Sequence, residues 1–433
     1  MSWEKRSRFL TAFAVFAITA SAFGQTLTQA ARQKIDGQPE IIPGIKMQRI
    51  TPQPLRSIPG APRDSSPIAN SSSKGNPGGL PGIDSVPNFT RAFSSQGQVW
   101  PFTMIGNDPL LGHRTRVPAR IISVSLELQN ADLATTTVVP FAPFEKLTLG
   151  SPNFEEADYS SGEDLQFADA VQRAEFFHSM KRDWHTELRP ARIVDRVTIP
   201  VPRFTTVDVN GTPTQVRTYF TGPTGDGGTF VLLLDSFFND AFFNAVVQQI
   251  GAGHFTTDAV NILLLPNTFL FSLDQGPGGA LTLGFHTFIF DASSSPVPVW
   301  ITVFASWISP GLFGAGIEDV TALSHEVSEA FNNPFLINSV PAWQFPGFPG
   351  TCQDNLEVGD PIEALGNQTF PIRVRAEEER RSFVYHPQIE ALLQWFAEDV
   401  PSDAIRGAYS YPDATALPGP AVFFGQLSCP TGP

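Results

Sequence analysis

Apolar and polar residues alternate over many short segments of this chain, which is the two-residue period of half-buried β-strands. Residues 119–128, ARIISVSLEL, show the alternation most clearly. Two adjacent residues with high turn propensity, Asn210 and Gly211, follow one such segment and predict a tight turn. The same pattern predicts further strands at 135–141, 145–150, 192–202, 206–211, 229–235, 259–266, 280–290 and 297–307.

Other segments have the 3.6-residue period of helices. Within residues 163–177, the side chains of Phe167, Val171, Ala174 and Phe177 fall on one face. The other predicted helices cover 238–250, which Gly251 ends, 320–332, and 386–399, where Pro387 suits the first turn. Because strands and helices intermingle without strict βαβ alternation, we expect an α+β fold in which a mixed or antiparallel sheet packs with a few helices.

Composition divides the chain into three parts. A basic start followed by a short apolar run and Ala20-Ser21-Ala22 predicts a signal peptide over residues 1–24, with an uncleaved anchor as the alternative. Residues 25–87 are rich in Pro, Ser and Gly and predict a disordered linker. The globular α+β domain is expected at 88–433, or divided into a β-rich part, 88–235, and a zincin-like part, 236–433.

Charge, hydropathy and cysteine content indicate which partners and which cellular compartment to expect. The formal charge is −14, and it becomes about −16 without residues 1–24, which argues against a nucleic-acid partner. No later segment is apolar for long enough to cross a bilayer, so a secreted or periplasmic protein without an integral membrane segment is expected. The two cysteines, Cys352 and Cys429, predict a disulfide in such a compartment, with a Cys-ligated metal as the weaker alternative.

The predicted helix 320–332 carries the candidate chemistry. Asp319 suits its N-cap, and Asn333-Pro334 suits its end. His325 and Glu329 lie one turn apart, so both side chains can reach a single metal ion, and Glu326 can reach a water on it. Alternatively, these three residues form the solvated face of an amphipathic helix. The apolar stripe on the other side consists of Val320, Leu323, Val327, Ala330 and Phe331.

A catalytic zinc site needs a third protein ligand and an open position. Glu357, in the downstream segment CQDNLEVGDPIE, is the candidate, with Asp360 as the alternative. The competing interpretation places Gly359 and Asp360 in a turn and leaves Glu357 in solvent. One imidazole and two carboxylates would neutralise a divalent ion, so bound water would be less acidic than in a two-histidine site. Such ligation also makes Mn²⁺ or Ca²⁺ competitive with Zn²⁺.

Several segments together resemble a group of uncharacterised exported bacterial proteins with a zincin-like, His-Glu-x-x-Glu core. They are LSHEVSEAFNNPF, NLEVGDP, DAVQRAEFF, LGFHTF, YHPQIEALLQWFAED and GAYSYPD. The resemblance covers roughly residues 93–424. It implies a metallopeptidase-like helix with His325 and Glu329 as ligands and Glu326 as the base. The chain departs from His-Glu-x-x-His peptidases at Glu329.

These observations predict an exported metal-dependent hydrolase that acts on a peptide or protein. His325, Glu329 and Glu357 would hold Zn²⁺, and Glu326 would deprotonate the bound water. The alternative is a non-catalytic exported binding or surface protein with a structural metal or none. Weaker candidates are His286, which could polarise a carbonyl, and Tyr385 and His386, which could stabilise an oxyanion. The sequence leaves the oligomeric state open.

Overall fold

The computed structural model describes residues 79–159, 162–314, 316–363, 365–374 and 383–430. The predicted signal peptide and the predicted linker up to residue 78 lie outside this part of the chain. Residues 79–87, assigned to the linker above, belong instead to the folded domain, because Leu80 and Val86 are buried in the core. No helix in the described residues is long and apolar enough to cross a membrane.

The fold is mixed α+β, as predicted. The helices are α1 Glu145–Leu149, α2 Phe167–Glu175, α3 Asp235–Gly251, α4 Thr321–Asn332, α5 Asp360–Glu363 and α6 Leu393–Phe396, with 3-10 turns at Ala142–Phe144 and Ile405–Gly407. The strands are β1 Ile83–Asp84, β2 Asn88–Ser95, β3 Gln98–Ile105, β4 Arg114–Gln129, β5 Thr136–Val139, β6 Ala157–Asp158, β7 Asp164–Leu165, β8 His185–Val201, β9 Phe204–Val209, β10 Thr212–Arg217, β11 Tyr219–Pro223, β12 Thr229–Leu234, β13 Val260–Pro266, β14 Thr268–Phe271, β15 Leu281–Thr282, β16 Gly284–Phe290, β17 Val297–Trp307, β18 Ser339–Trp343, β19 Gln353–Asn355, β20 Ile372–Arg373, β21 Val384–Tyr385, β22 Glu390–Ala391 and β23 Ser410–Tyr411.

The largest sheet has a parallel centre and antiparallel additions. Strand β13 pairs in parallel with β4 on one side and β17 on the other, and β8 extends the parallel part beyond β4. Strand β16 adds to β17 in the antiparallel direction. Every residue of β13 is buried, as expected for a central parallel strand covered on both faces. Since strands from before and after residue 235 share this sheet, the alternative division into 88–235 and 236–433 is wrong.

Helices cover both faces of the large sheet. Helix α3 buries Phe238, Phe242 and Val246 against one face, together with Leu263 and Phe304. Helix α4 packs against β16 and β17, and its apolar stripe joins the core on the opposite face. The sheet therefore fixes α4 beside the antiparallel edge pair, where the candidate site lies.

Helix α4 is buried on every side. Its predicted apolar stripe packs into the core, but all the other residues of Thr321–Asn332 are buried too. The helix ends at Asn332, before Pro334, as predicted. The predicted N-cap at Asp319 is wrong: Val320 occupies that position, and the Asp319 carboxylate accepts hydrogen bonds from the backbone N–H of His386, at 2.9 Å, and its ring Nδ1, at 2.7 Å.

Three predicted elements differ from the structure. The segment 145–150 forms helix α1 and not a strand. Helix α2 ends at Glu175, so Phe177 is 42% exposed and does not join the predicted apolar face. The predicted helix 386–399 is reduced to α6, because its backbone bonds to other segments, for example from Ala391 N–H to the carbonyl of Val358. The helix predicted at 238–250 is confirmed as α3.

The predicted disulfide between Cys352 and Cys429 is present, with 5.7 Å between the Cα atoms. It closes a loop in which the two cysteines are 77 residues apart. A third cluster of buried residues, which includes Trp343, Ile389 and Trp395, packs this C-terminal region against the rest of the domain.

Candidate metal centre

Helix α4 directs three ionisable side chains into the interior and not into solvent. His325, Glu326 and Glu329 are 4%, 3% and 3% exposed, so the solvated-face interpretation of this helix is wrong. His325 Nε2 lies 3.2 Å from Glu329 Oε1 and 3.8 Å from Glu326 Oε1. The helical spacing seen in the sequence therefore does bring this imidazole and these two carboxylates together.

His286, on β16, faces the same two glutamates from the other side. Its Nδ1 lies 3.3 Å from Glu329 Oε2 and 3.6 Å from Glu326 Oε2. Its Nε2 lies 3.3 Å from the backbone carbonyl of Asn333, which follows α4. With Nε2 beside that carbonyl, Nδ1 is the ring nitrogen that faces the two carboxylates. His286 is therefore a site residue, which sequence reasoning treated only as a weak candidate.

Glu357 reaches the cluster from the loop after β19. Its Oε1 accepts hydrogen bonds from the side-chain amides of Asn333, at 3.1 Å, and Asn355, at 2.7 Å. Its Oε2 lies 3.8 Å from His286 Nε2. The side chain is buried, so the interpretation that left Glu357 in solvent is wrong.

Helix α5 brings two more carboxylates to the side of His325. Asp360 Oδ1 lies 3.8 Å from His325 Nε2, while its Oδ2 accepts a hydrogen bond of 2.6 Å from Gln353. Glu363 Oε1 faces the other ring nitrogen of His325, Nδ1, at 3.9 Å. The sequence offered Asp360 as the alternative third ligand, but Glu363 was missed; its one-turn spacing from Asp360 was the available signal.

The predicted set of three ligands is divided between two groups. One group, whose potential ligand atoms all lie within 4.8 Å of one another, is His286, Glu329 and Glu357. The groups around His325 combine it with Glu326 and Glu329, or with Asp360 and Glu363. Glu329 thus belongs to both sides of the cluster, whereas Glu357 is grouped with His286.

Two glycines allow this close packing. A Cβ atom on Gly359 would lie 2.5 Å from Cε1 and 2.7 Å from Cγ of His325, and its backbone N–H donates to Glu329 Oε1 at 3.2 Å. A Cβ on Gly284 would lie 2.7 Å from Glu326 Cγ. The backbone therefore approaches the ligand side chains more closely than any other residue type would permit.

The pKa shifts in the cluster differ in direction between its histidines, Glu329 and the other glutamates. Burial alone lowers the pKa of both histidines, but the carboxylates around them outweigh it and raise the pKa of His286 and His325 well above the usual range. Burial raises the pKa of Glu329, yet the two histidines reverse the effect and lower it overall. Burial raises the pKa of Glu357, and also of Glu363 and Glu390, well above normal, and nearby carboxylates add to this effect.

Two carboxylate oxygens that face this cluster lack a hydrogen-bond donor. Glu326 Oε2 and Glu357 Oε2 are both buried, and neither accepts a hydrogen bond within the described structure. Leaving a buried charged oxygen unsatisfied costs on the order of several kcal/mol, so such groups usually bind an ion or water. Imidazole nitrogens and carboxylate oxygens are also ligands that divalent cations prefer. The residues present therefore fit a metal centre.

A narrow cleft leads to the centre. Its lining includes His325, Glu326 and Asp360, and its free volume of about 30 Å³ is enough to hold a water molecule. A larger cavity of about 570 Å³ lies elsewhere, around His185 and Asp169. There His185 Nδ1 lies 2.8 Å from Asp169, and neighbouring carboxylates pair with arginines, as in the 2.6 Å contact of Glu187 with Arg114. The lining of that cavity includes one histidine, and the buried Glu187 Oε2, which accepts no hydrogen bond in the described structure, lies 3.6 Å from Nε of Arg116.

The remaining sequence candidates have other partners. The hydroxyl of Tyr385, on β21, donates a 2.8 Å hydrogen bond to the carbonyl of Leu147 and so links α1 to β21. His386 forms a separate group with Glu318 and Asp319 at the start of α4. Glu390 was not predicted; it is fully buried on β22, and neither of its carboxylate oxygens has a hydrogen-bond partner in the described structure.

No protein-family model, no curated protein and no solved structure matches this chain.

Proposed function

We propose that this protein is an exported metal-dependent hydrolase, most closely a zinc peptidase in type, whose centre lies between α4, β16 and α5. The main support for the proposal is that two buried histidines and several carboxylates lie close together. Two of the carboxylate oxygens, Glu326 Oε2 and Glu357 Oε2, accept no hydrogen bond in the described structure. When bound, a divalent cation would polarise a substrate carbonyl and lower the pKa of its water.

The chain's own residues have distinct roles in this proposal. His325 and Glu329 hold the cation from α4, and Asp360, whose Oδ1 lies 3.8 Å from His325 Nε2, completes the ligand set. Glu357, the third ligand predicted from the sequence, is grouped with His286. Glu326 is the base, because its Oε2 is free of hydrogen bonds and lies within the cluster. A carboxylate in this position accepts the proton of the attacking water and later returns it to the leaving group.

Export is part of the same proposal. The basic and apolar N-terminal sequence is of the signal-peptide type. The disulfide between Cys352 and Cys429 supports an oxidising compartment. We propose a peptide or protein as the substrate and Zn²⁺ as the metal, with Mn²⁺ or Ca²⁺ as alternatives.

The test compares the purified protein with its Glu326→Gln variant. We expect the wild type to contain metal by elemental analysis and to cleave a mixed peptide library. Glu326→Gln should keep the metal but cleave at least about 100-fold more slowly, since general-base groups contribute roughly 10²–10⁴ in rate. Glu318→Gln, the same change on a glutamate near the start of α4 and outside the cluster, is the control. A protein that stays folded without any metal, or equal cleavage by Glu326→Gln, would contradict the proposal.

The narrow cleft favours a second candidate, a non-catalytic exported protein with a structural ion. A free volume of about 30 Å³ admits water but not a peptide. In that case metal would raise the melting temperature, and no peptide in the library would be cleaved by either protein. Cleavage that depends on Glu326 would exclude this second candidate.

A further inference from the structure

We propose that the centre binds two divalent cations, bridged by the carboxylate of Glu329, with one cation on the side of His286 and the other on the side of His325. This inference rests on the proposed function, since it specifies the metal content of the same site. It differs from the sequence prediction, which assigned one cation to His325, Glu329 and Glu357.

The two oxygens of Glu329 are the first reason. Oε1 lies 3.2 Å from Nε2 of His325, and Oε2 lies 3.3 Å from Nδ1 of His286. Neighbouring ligands bound at about 2.0–2.1 Å to one ion are separated by about 2.8–3.0 Å in octahedral geometry and by about 3.3–3.4 Å in tetrahedral geometry. Each oxygen of Glu329 therefore has the separation from its own histidine that two ligands of a shared ion have. In the described residues, no group of potential ligand atoms within 4.8 Å of one another contains both His286 and His325, so each pair is assigned its own ion.

Each half of the centre also has its own further carboxylate. On one side of the centre, Glu357 is grouped with His286. On the other side, Asp360 Oδ1 lies 3.8 Å from Nε2 of His325. Side-chain amides donate hydrogen bonds to one oxygen of each carboxylate. Asn333 and Asn355 donate to Glu357 Oε1. Gln353 donates to Asp360 Oδ2. Such outer hydrogen bonds orient metal ligands, and here they fix one oxygen of each of these two carboxylates.

The charge of the cluster also favours two cations. Five carboxylates face nitrogen atoms of the two histidines: Glu326, Glu329, Glu357, Asp360 and Glu363. When these carboxylates are ionised, one divalent cation offsets two of their charges and two cations offset four. The second cation therefore reduces the uncompensated charge in a buried site, where such charge is strongly unfavourable.

Glu326 lies between the two halves. Its Oε1 is 3.8 Å from Nε2 of His325, and its Oε2 is 3.6 Å from Nδ1 of His286. These distances are longer than those of Glu329, so Glu326 is the weaker candidate for a bridge. A water shared by two adjacent cations would need a base, and in this proposal Glu326 supplies it.

Manganese gives a direct measurement of this arrangement. The full exported protein is stripped with a chelator and titrated with Mn²⁺ alone, and bound metal is counted by elemental analysis. We expect two Mn²⁺ per chain and an electron paramagnetic resonance spectrum of an exchange-coupled pair, because a carboxylate bridge holds two ions about 3.5–4 Å apart. This spectrum is recorded on the wild type, so it does not depend on whether a variant folds.

Variants then assign each ion to its half. Glu357→Gln and Asp360→Asn should each retain one Mn²⁺ and lose the coupled spectrum. His386→Ala is the matched control, because His386 forms a comparable histidine–carboxylate group with Glu318 and Asp319 outside the centre. This control should leave both ions and their coupling unchanged.

The outcomes separate this inference from the proposed function. One Mn²⁺ per chain with hydrolysis intact would overturn the two-ion centre and leave the hydrolase proposal in place. Two uncoupled ions, one of which is lost in His386→Ala, would also overturn it. No bound metal at all would remove both proposals.

Discussion

Gly359 shows how strongly a single residue constrains this centre. It has no side chain because the ring of His325 occupies the space that a Cβ atom would need. Its N–H also donates to Glu329 Oε1, and its carbonyl accepts a hydrogen bond of 2.7 Å from Gln388. Neither the backbone nor the buried ring can move freely to admit a methyl group.

Gly359→Ala should therefore destabilise the protein and weaken metal binding. We expect a loss of roughly 1–3 kcal/mol in the free energy of unfolding, as for overpacked cores, together with reduced Mn²⁺ affinity. Denaturant unfolding and metal titration measure the two effects. Gly419→Ala is the control, since its Cβ would meet nothing within 4 Å, and it should stay within about 0.5 kcal/mol of wild type. Equal stability of the two variants would show that the His325 ring can move aside.

At the scale of elements, helices α2 and α6 are joined by a buried carboxyl group. Glu175 Oε1, at the end of α2, accepts a 3.1 Å hydrogen bond from the backbone N–H of Leu393 at the start of α6. Glu175 Oε2 has no such partner in the described structure. Burial raises the pKa of Glu175 well above its usual value, which the bond from Leu393 offsets only in part.

This raised pKa gives the protein a pH dependence with a definite sign. The folded state keeps a proton on Glu175 that the unfolded chain releases above its pKa of about 4.3. The contribution to stability is complete below that pH and is lost as pH rises toward the folded pKa. Glu175→Gln should remove this dependence and stabilise the protein at pH 7 by at least about 1 kcal/mol.

Thermal unfolding of the wild type and Glu175→Gln between pH 4 and pH 8 measures this effect. Glu155→Gln, a change at an exposed glutamate, is the control and should follow the wild type. A stability difference between Glu175→Gln and the wild type that does not change with pH would show that Glu175 is not the titrating group.

Helix α4 shows what a pattern can and cannot predict for an element. Its apolar stripe, its end before Pro334 and the one-turn spacing of His325 and Glu329 follow from the sequence. The sequence could not show that the polar face is also buried, because that depends on what packs against it. The residues that cover this face, such as His286 and Asp360, come from distant parts of the chain.

The predicted helix 386–399 failed for a related reason. Its apolar period matched a helix, but its backbone groups have partners outside the segment. The N–H of Gln388 donates to Ser324 Oγ on α4 at 2.8 Å, and that of Leu392 donates to the carbonyl of Tyr409 at 2.9 Å. Tertiary hydrogen bonds thus replaced the local ones that a helix would make.

On the scale of the whole molecule, one sheet contains strands from both halves of the chain. A disulfide links two segments of the C-terminal region of the chain. Cys352 and Cys429 are 77 residues apart, so their bond restricts a long loop in the unfolded chain. Replacing both cysteines by serine should reduce the free energy of unfolding by about 4 kcal/mol. Urea unfolding measures this loss.

Metal content provides the control for the cysteine variant. The disulfide lies outside the groups that could hold a cation in the described residues, so the folded variant should bind as much Mn²⁺ as the wild type. A folded variant that has lost its metal would mean that the C-terminal region helps to form the centre.

The sequence by itself determined the α+β class, helices α3 and α4, the cysteine pairing and three acidic or imidazole side chains on one helix. These follow from local periodicity and from the small number of possible cysteine pairings. Only the tertiary structure decided that His286 faces the glutamates of α4 from the side opposite His325, that Glu357 faces His286, and that Asp360 faces His325. Contacts between a strand, a helix and a loop depend on long-range packing, which local residue spacing does not encode.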